Sequence, residues 1–221
     1  MSLRLLLTIA ISFSVLSSCA QDAEKPPFYQ DIEKFKKADK ESLPPLDAIL
    51  FVGSSSFTMW QDVQDYFPDH TIINRGFGGS QLSDVIRYAD DVILPYHPRQ
   101  VVVYCGENDI AAGVPVPEVF ERFKSLFGII RGESPDDPHV LYVSMKPSPS
   151  RAKLMPQYQE ANARIREFLA GYPNTGYIDV FSLMLDSAGH PRQELFLKDN
   201  LHMNKKGYEI WKAAIGPHLL K

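Results

Sequence analysis

Four short segments hold residue types suited to acyl transfer, and they follow one another along the chain. They are Gly53-Ser54-Ser55-Ser56, Gly76-Phe77-Gly78-Gly79, Gly106-Glu107-Asn108-Asp109 and Asp199-Asn200-Leu201-His202. The first supplies a hydroxyl nucleophile, Ser55, at a point where a helix start favours developing negative charge. Glycines in the second let backbone approach a ligand closely and turn an N–H towards an oxyanion. Asn108 in the third carries an uncharged, directional amide donor. The fourth pairs a carboxylate with an imidazole three residues on, so that Asp199 can hold Nδ1–H of His202 and leave Nε2 to take a proton from Ser55. Each segment alone also has a plainer use: a serine N-cap, a tight glycine turn, an Asx turn.

The Asp-x-x-His spacing occurs a second time, at Asp136 and His139. That pair leads into an apolar run and would sit at the amino end of a strand, on the edge of the sheet away from the other segments. His70, His97, His190 and His218 lack a comparable carboxylate, and no His-Glu-x-x-His or Cys/His cluster suggests a metal. No glycine stands two residues after any of the serines at 54–56, so this is not the Gly-x-Ser-x-Gly elbow.

The elements that must position these residues alternate. Apolar runs at 46–52, 71–74, 101–104, 140–143 and 177–180 predict strands. Helical spacing links Leu82, Val85, Ile86, Ala89 and Ile93, then Val119, Phe120, Phe123, Leu126, Phe127 and Ile130, and it returns over 158–169 and 208–215. Such alternation with short connections predicts a parallel sheet covered on both faces, with ligands beyond the carboxyl ends of its strands. Three of the four segments fall at those ends, and the fourth precedes the last helix. Arg75 and Lys146 each follow a strand and are expected at the site's edge, where a basic side chain attracts an anionic substrate; solvated surface is the plain alternative.

With the four segments in this order, the region from about Leu46 to the C-terminus resembles the SGNH hydrolases, the GDSL esterase/lipase superfamily. The resemblance implies an α/β fold, a flavodoxin-like three-layer α/β/α sandwich on a central parallel sheet of about five strands. It also implies ester hydrolysis through an acyl-enzyme, with no cofactor. Carried over motif by motif, Ser55 matches the nucleophile, Asp199 and His202 match the rest of the triad, and Gly79 and Asn108 join Ser55 itself as oxyanion donors. Ser54 stands where the family name has Asp, so its hydroxyl is expected to replace that residue's local hydrogen bonds.

The N-terminus reads separately from the fold. Arg4 precedes an apolar stretch from Leu5 to Leu16, too short for the roughly 20 residues of a membrane span, so residues 1–18 read as an export signal. Leu16-Ser17-Ser18-Cys19 resembles the lipobox of bacterial lipoproteins, in which the cysteine becomes the lipidated first residue; an ordinary cleaved signal with a stray cysteine is the alternative. Residues 19–45 then form a tether with a short amphipathic helix near Phe28, Ile32 and Phe35, and 46–221 form the hydrolase domain. The other cysteine, Cys105, lies in an apolar run and reads as a small buried hydrophobe.

A chain of 221 residues, 44% hydrophobic, can bury one substantial core. Its net charge of −4 advertises no nucleic-acid partner. The expected protein is an esterase of the bacterial cell envelope, held to a membrane through Cys19 and acting on short acyl esters, carbohydrate esters among them. A lysophospholipase or thioesterase of the same family, or a non-catalytic glycan-binding lipoprotein, are the competing expectations.

Overall fold

A computed structural model describes residues 25–132 and 137–221. Asp136 and Cys19, with the export signal, lie outside the described residues. Five strands form one sheet: β1 (Ile49–Gly53), β2 (Ile72–Gly76), β3 (Gln100–Tyr104), β4 (His139–Val143) and β5 (Thr175–Ile178). All pairings are parallel, in the order β2-β1-β3-β4-β5. Parallel strands need crossovers that cover both faces, which is why β1, β3 and β4 read as nearly continuous apolar runs. Alternate residues serve opposite cores. Leu50, Val52, Val101, Val103, Val140 and Tyr142 belong to one; Ile49, Phe51, Val102, Tyr104, Leu141 and Val143 belong to the other, around Trp60 and Trp211.

The chain leaves β1 to build β2 on one side, then crosses to build β3 on the other. That reversal between β1 and β3 is the switch point at which doubly wound sheets bind ligands. Register sharpens the point: Gly53 pairs with Gly76 on one side and with Tyr104 on the other. The first three motifs therefore leave the sheet at one level, across three adjacent strands.

Seven helices bear on the argument: α1 (Tyr29–Glu41), α2 (Ser55–Thr58), α3 (Leu82–Arg87), α4 (Glu107–Ala111), α5 (Val116–Gly132), α6 (Met155–Ala170) and α7 (Lys205–Ile215). In α5, Val116, Val119, Phe123, Leu126, Phe127 and Ile130 are buried, and this i, i+3, i+4 stripe seats the helix on the sheet. The Asn204 side chain caps α7 by accepting from the N–H groups of Lys206 and Gly207.

Four boundaries differ from the sequence pattern. β1 starts at Ile49 because Asp47 turns the chain with φ 59°, leaving Leu46 exposed. β5 ends at Ile178 because Asp179 caps the next turn, its carboxylate accepting from Ser182 N–H at 3.0 Å. The helical spacing over 82–93 breaks at Tyr88, whose hydroxyl donates to Pro27 O at 2.7 Å, and a separate turn runs over Ala89–Val92. α1 is longer than its apolar residues suggest and belongs to the body of the fold: Ile32 is buried in the core, and Phe28 meets the Phe77 ring edge-on at 5.3 Å.

Candidate active site

Gly53 makes the turn that presents the serine. Its φ is 141°, and a Cβ there would collide with the carbonyl of Tyr104, so only glycine lets β1 end this close to β3. Ser54 N–H then donates to that same carbonyl at 3.0 Å, and Ser55 opens α2. The Ser54 side chain is buried and makes no capping bond to α2. Ser55 is partly exposed at the carboxyl edge of the sheet.

His202 arrives from a loop anchored by the Phe196–Met203 bridge just ahead of α7. Asn200 takes φ 57°, bending the loop so that Asp199 accepts from the N–H groups of Leu201 and His202 at 2.9 and 3.0 Å through Oδ1. Its other oxygen lies 2.7 Å from His202 Nδ1. The carboxylate thereby sets the tautomer: Nδ1 carries the proton, and Nε2 accepts from Ser55 Oγ at 3.1 Å. Hydrogen bonds from His202 and from the two backbone N–H groups hold the Asp199 carboxyl down to about 2, although the residue is exposed.

The glycine segment is tied to the serine turn. Phe77 N–H and Ser80 Oγ both donate to Gly53 O, at 2.9 and 3.2 Å. A Cβ added at Gly78 would stand 4.0 Å from the Cβ of Ser55, so this backbone lines the nucleophile. Gly79 has φ 87° and is exposed. The N–H groups of Ser55 and Gly79 donate to no backbone carbonyl among the described residues.

Asn108 lies in the first turn of α4, which Gly106 starts with φ 115°. Its Nδ2 donates to Ser80 O at 3.0 Å, and its Oδ1 accepts from NH1 and NH2 of Arg151, both at 3.0 Å. Neighbours on both sides fix the amide's orientation, since a carbonyl cannot donate and a guanidinium cannot accept. One Nδ2 hydrogen remains beyond the bond to Ser80. Asp109, fully buried, accepts from Leu82 N–H at 3.0 Å and from Arg122 at 2.9 Å, tying α4 to α3 and α5.

Arg75 and Lys146 are not the free cations expected at the site's edge. Arg75 donates to Asp39 of α1 and, at 2.7 Å, to the Tyr96 hydroxyl; its guanidinium lies 5.0 Å from the Phe35 ring centre. It fastens α1 to β2. Lys146 is buried, with Nζ 2.9 Å from Glu107 Oε2. A cation just after a parallel strand can turn inward to a buried carboxylate as readily as outward, and here both found acid partners. Glu107 also accepts from the Tyr104 hydroxyl and from Arg151 NH1, the latter at 2.9 Å. Burial would raise its carboxyl, but Lys146, Arg151 and the Tyr104 bond outweigh that and hold it below the ordinary range.

His139 is the first residue of β4, at the sheet's amino edge, with Nδ1 3.3 Å from Gln100 Nε2. Burial lowers its pKa. Cys105 is fully buried, its thiol pushed well up by burial. Sequence reasoning missed Glu107, Ser80 and Arg151. Glu107 gave a signal, being a charge inside a motif between a buried strand and a helix. Arg151 gave none, because it sits on an irregular turn (Pro149–Leu154) 43 positions after Asn108.

Residues 51–210 match the family described as the GDSL-like Lipase/Acylhydrolase family. The chain belongs to that family. As a GDSL-like acylhydrolase it is an ester-hydrolysing serine hydrolase. Among solved structures, one from Streptococcus pneumonia, provisionally named a platelet activating factor, superposes with a TM-score of 0.76 at 23% identity, over 86% of this chain and 92% of its own. A GDSL-like lipase from Bacteroides thetaiotaomicron gives 0.72 at 19% identity, over 85% and 96%. An acetyl xylan esterase from Geobacillus stearothermophilus gives 0.60 at 12% identity, over 80% and 99%. No curated protein sequence matches the chain.

Proposed function

We propose that this GDSL-like hydrolase is an exported, lipid-anchored esterase that removes short, acetyl-like acyl groups from carbohydrate through an acyl-enzyme on Ser55. The observation that carries the catalytic part is the unbroken chain of contacts from Ser55 Oγ to His202 Nε2, 3.1 Å, and from His202 Nδ1 to Asp199, 2.7 Å. Ser55 Oγ attacks the ester carbonyl while Nε2 takes its proton. The N–H groups of Ser55 and Gly79 and the remaining Nδ2 hydrogen of Asn108 receive the oxyanion. The imidazolium, steadied by the Asp199 carboxylate, returns the proton to the leaving alcohol. Water then repeats the sequence on the acyl-serine and releases the acid.

Two features support the substrate class. A cleft of about 390 Å³ beside α2 is lined by Asp31, Lys34, Phe35, Thr58, Gln61 and Phe77, a mixture of hydrogen-bonding groups and aromatic faces suited to a polar alcohol. Its lining does not include Ser55, Asn108 or His202, so it offers a place for the alcohol portion beside the site rather than for the acyl group at the nucleophile. The acetyl xylan esterase that shares this fold makes acetylated sugar a reasonable first substrate to try.

Labelling with a fluorophosphonate probe tests the nucleophile. Ser55→Ala should abolish labelling and lower kcat by about 10³-fold or more. A variant that keeps near-wild-type turnover would remove Ser55 from its role. A p-nitrophenyl ester series and a polysaccharide deacetylation screen test the substrate: acetyl and butyryl esters should exceed C12 esters in kcat/KM. The reverse order would favour the lysophospholipase or thioesterase reading.

A further inference from the structure

Ester hydrolysis as described leaves one buried charged cluster without a task. Glu107, Lys146 and Arg151 lie directly behind Asn108, with side-chain exposures of 4%, 2% and 21%. Removing three charges from water is expensive, and such pairs contribute little net stability compared with apolar packing. The cluster is also unbalanced. It holds two cations and one carboxylate, while the Tyr104 hydroxyl that donates to Glu107 is uncharged. One positive charge is left over, and the group nearest the site that carries it is the Arg151 guanidinium.

Where that charge is aimed is informative. Arg151 uses NH1 to grip Glu107 and spends NH1 and NH2 together on the Oδ1 of Asn108, each at 3.0 Å. The opposite side of the amide is held by Ser80 O. An asparagine's terminal torsion is otherwise broad, and a half-turn would point Oδ1 into the space where Nδ2 is needed. Oxygen against a developing oxyanion would be repulsive.

We propose that Arg151 is a positioning residue for the hydrolysis. Seated on the buried Glu107–Lys146 pair, it locks the Asn108 amide with Nδ2 towards the oxyanion and sets a positive charge behind that donor. The proposal rests on the reading of Ser55 as nucleophile and Asn108 as oxyanion donor. The positive charge polarises the amide at its carbonyl end, so the N–H becomes a stronger donor at the step where negative charge appears on the substrate. Glu107 and Lys146 then serve as the seat that keeps the guanidinium from swinging out to water. A lysine could keep the charge but not the two-pronged grip.

A double-mutant cycle on the full chain tests this, with p-nitrophenyl acetate turnover and the rate of Ser55 phosphonylation by a fluorophosphonate as readouts. Arg151→Met should lower kcat about tenfold, leave KM within about twofold, and slow phosphonylation by a similar factor. Arg151→Lys should fall between it and wild type. In an Asn108→Ala background, Arg151→Met should change either rate by less than about twofold, because the group it acts through is gone. An equal loss in both backgrounds would overturn the proposal, as would a raised KM with kcat intact, which would mean that Arg151 touches substrate. Should Arg151→Met fail to fold by circular dichroism, Arg151→Lys in the two backgrounds decides by the same comparison. A wild-type protein that neither labels nor turns over ester would remove the parent reading and this proposal with it. A labelled, active wild type with additive losses would remove this proposal alone.

Discussion

Asn108 is where the chemistry and the scaffold meet most closely. Its Oδ1 is spent on the Arg151 guanidinium and one Nδ2 hydrogen on Ser80 O, and the other hydrogen of Nδ2 is left for substrate. Asn108→Ala should therefore cost about 10²–10³ in kcat, the usual loss for one oxyanion donor, with the denaturation midpoint nearly unchanged. A large fall in stability with turnover preserved would make Asn108 a turn residue only. Asp199 yields a second expectation. Its carboxyl is held down to about 2, so its contribution to stability is complete above the ordinary carboxylate range and is lost only as the pH falls towards that value. Above it, Asp199 stays ionised and adds no second proton to the acid limb of activity. The acid limb of log kcat/KM against pH should fall with a slope of one; a slope of two would require another titrating group in the site.

The elements explain why these residues meet, and Gly53 shows it best. A side chain there would need φ 141° and would run into the Tyr104 carbonyl that receives Ser54 N–H. Gly53→Ala should destabilise the fold by at least about 2 kcal/mol through strain and overpacking. Urea unfolding should show this as a lower midpoint at unchanged slope, and a loss below about 0.5 kcal/mol would mean that the β1–β3 edge yields easily. Much of this level was legible beforehand. Apolar runs without alternation announced buried parallel strands, and glycines, serine and asparagine at their ends announced the edge of the sheet that matters. What stayed hidden depends on contacts distant in sequence. The break at Tyr88 follows a bond to Pro27, and the placement of Arg151 follows a bond to Asn108, neither of which leaves a periodic trace. Arg75 and Lys146 were misread for a related reason: a cation's position after a strand was visible, but its partners Asp39 and Glu107 were not.

At the scale of the whole molecule, the N-terminal segment and the site are neighbours. Phe28 packs on Phe77 and comes within 4.0 Å of where a Cβ on Gly79 would be, so the chain enters the fold beside the proposed oxyanion donors. Residue 19 precedes the first described residue, Lys25, by six positions, and such a length of chain reaches at most about 20 Å. If Cys19 carries lipid, the site works close to the bilayer and meets esters of the envelope rather than of bulk solvent. A single acyl chain binds membranes only marginally, so firm anchoring requires the multiply acylated cysteine of a lipoprotein. Cys19→Ala should move the protein out of the membrane fraction, or stall its maturation, while the purified enzyme keeps its kcat/KM on a soluble acetyl ester, because no group of the proposed site depends on Cys19. Mass spectrometry of the mature wild-type protein should show cleavage after Ser18 and an acylated Cys19. An unmodified thiol at that position would detach the catalytic reading from the anchored one and leave a freely exported esterase, and a signal-cleaved Cys19→Ala protein still sedimenting with membranes would place the membrane hold elsewhere than at Cys19.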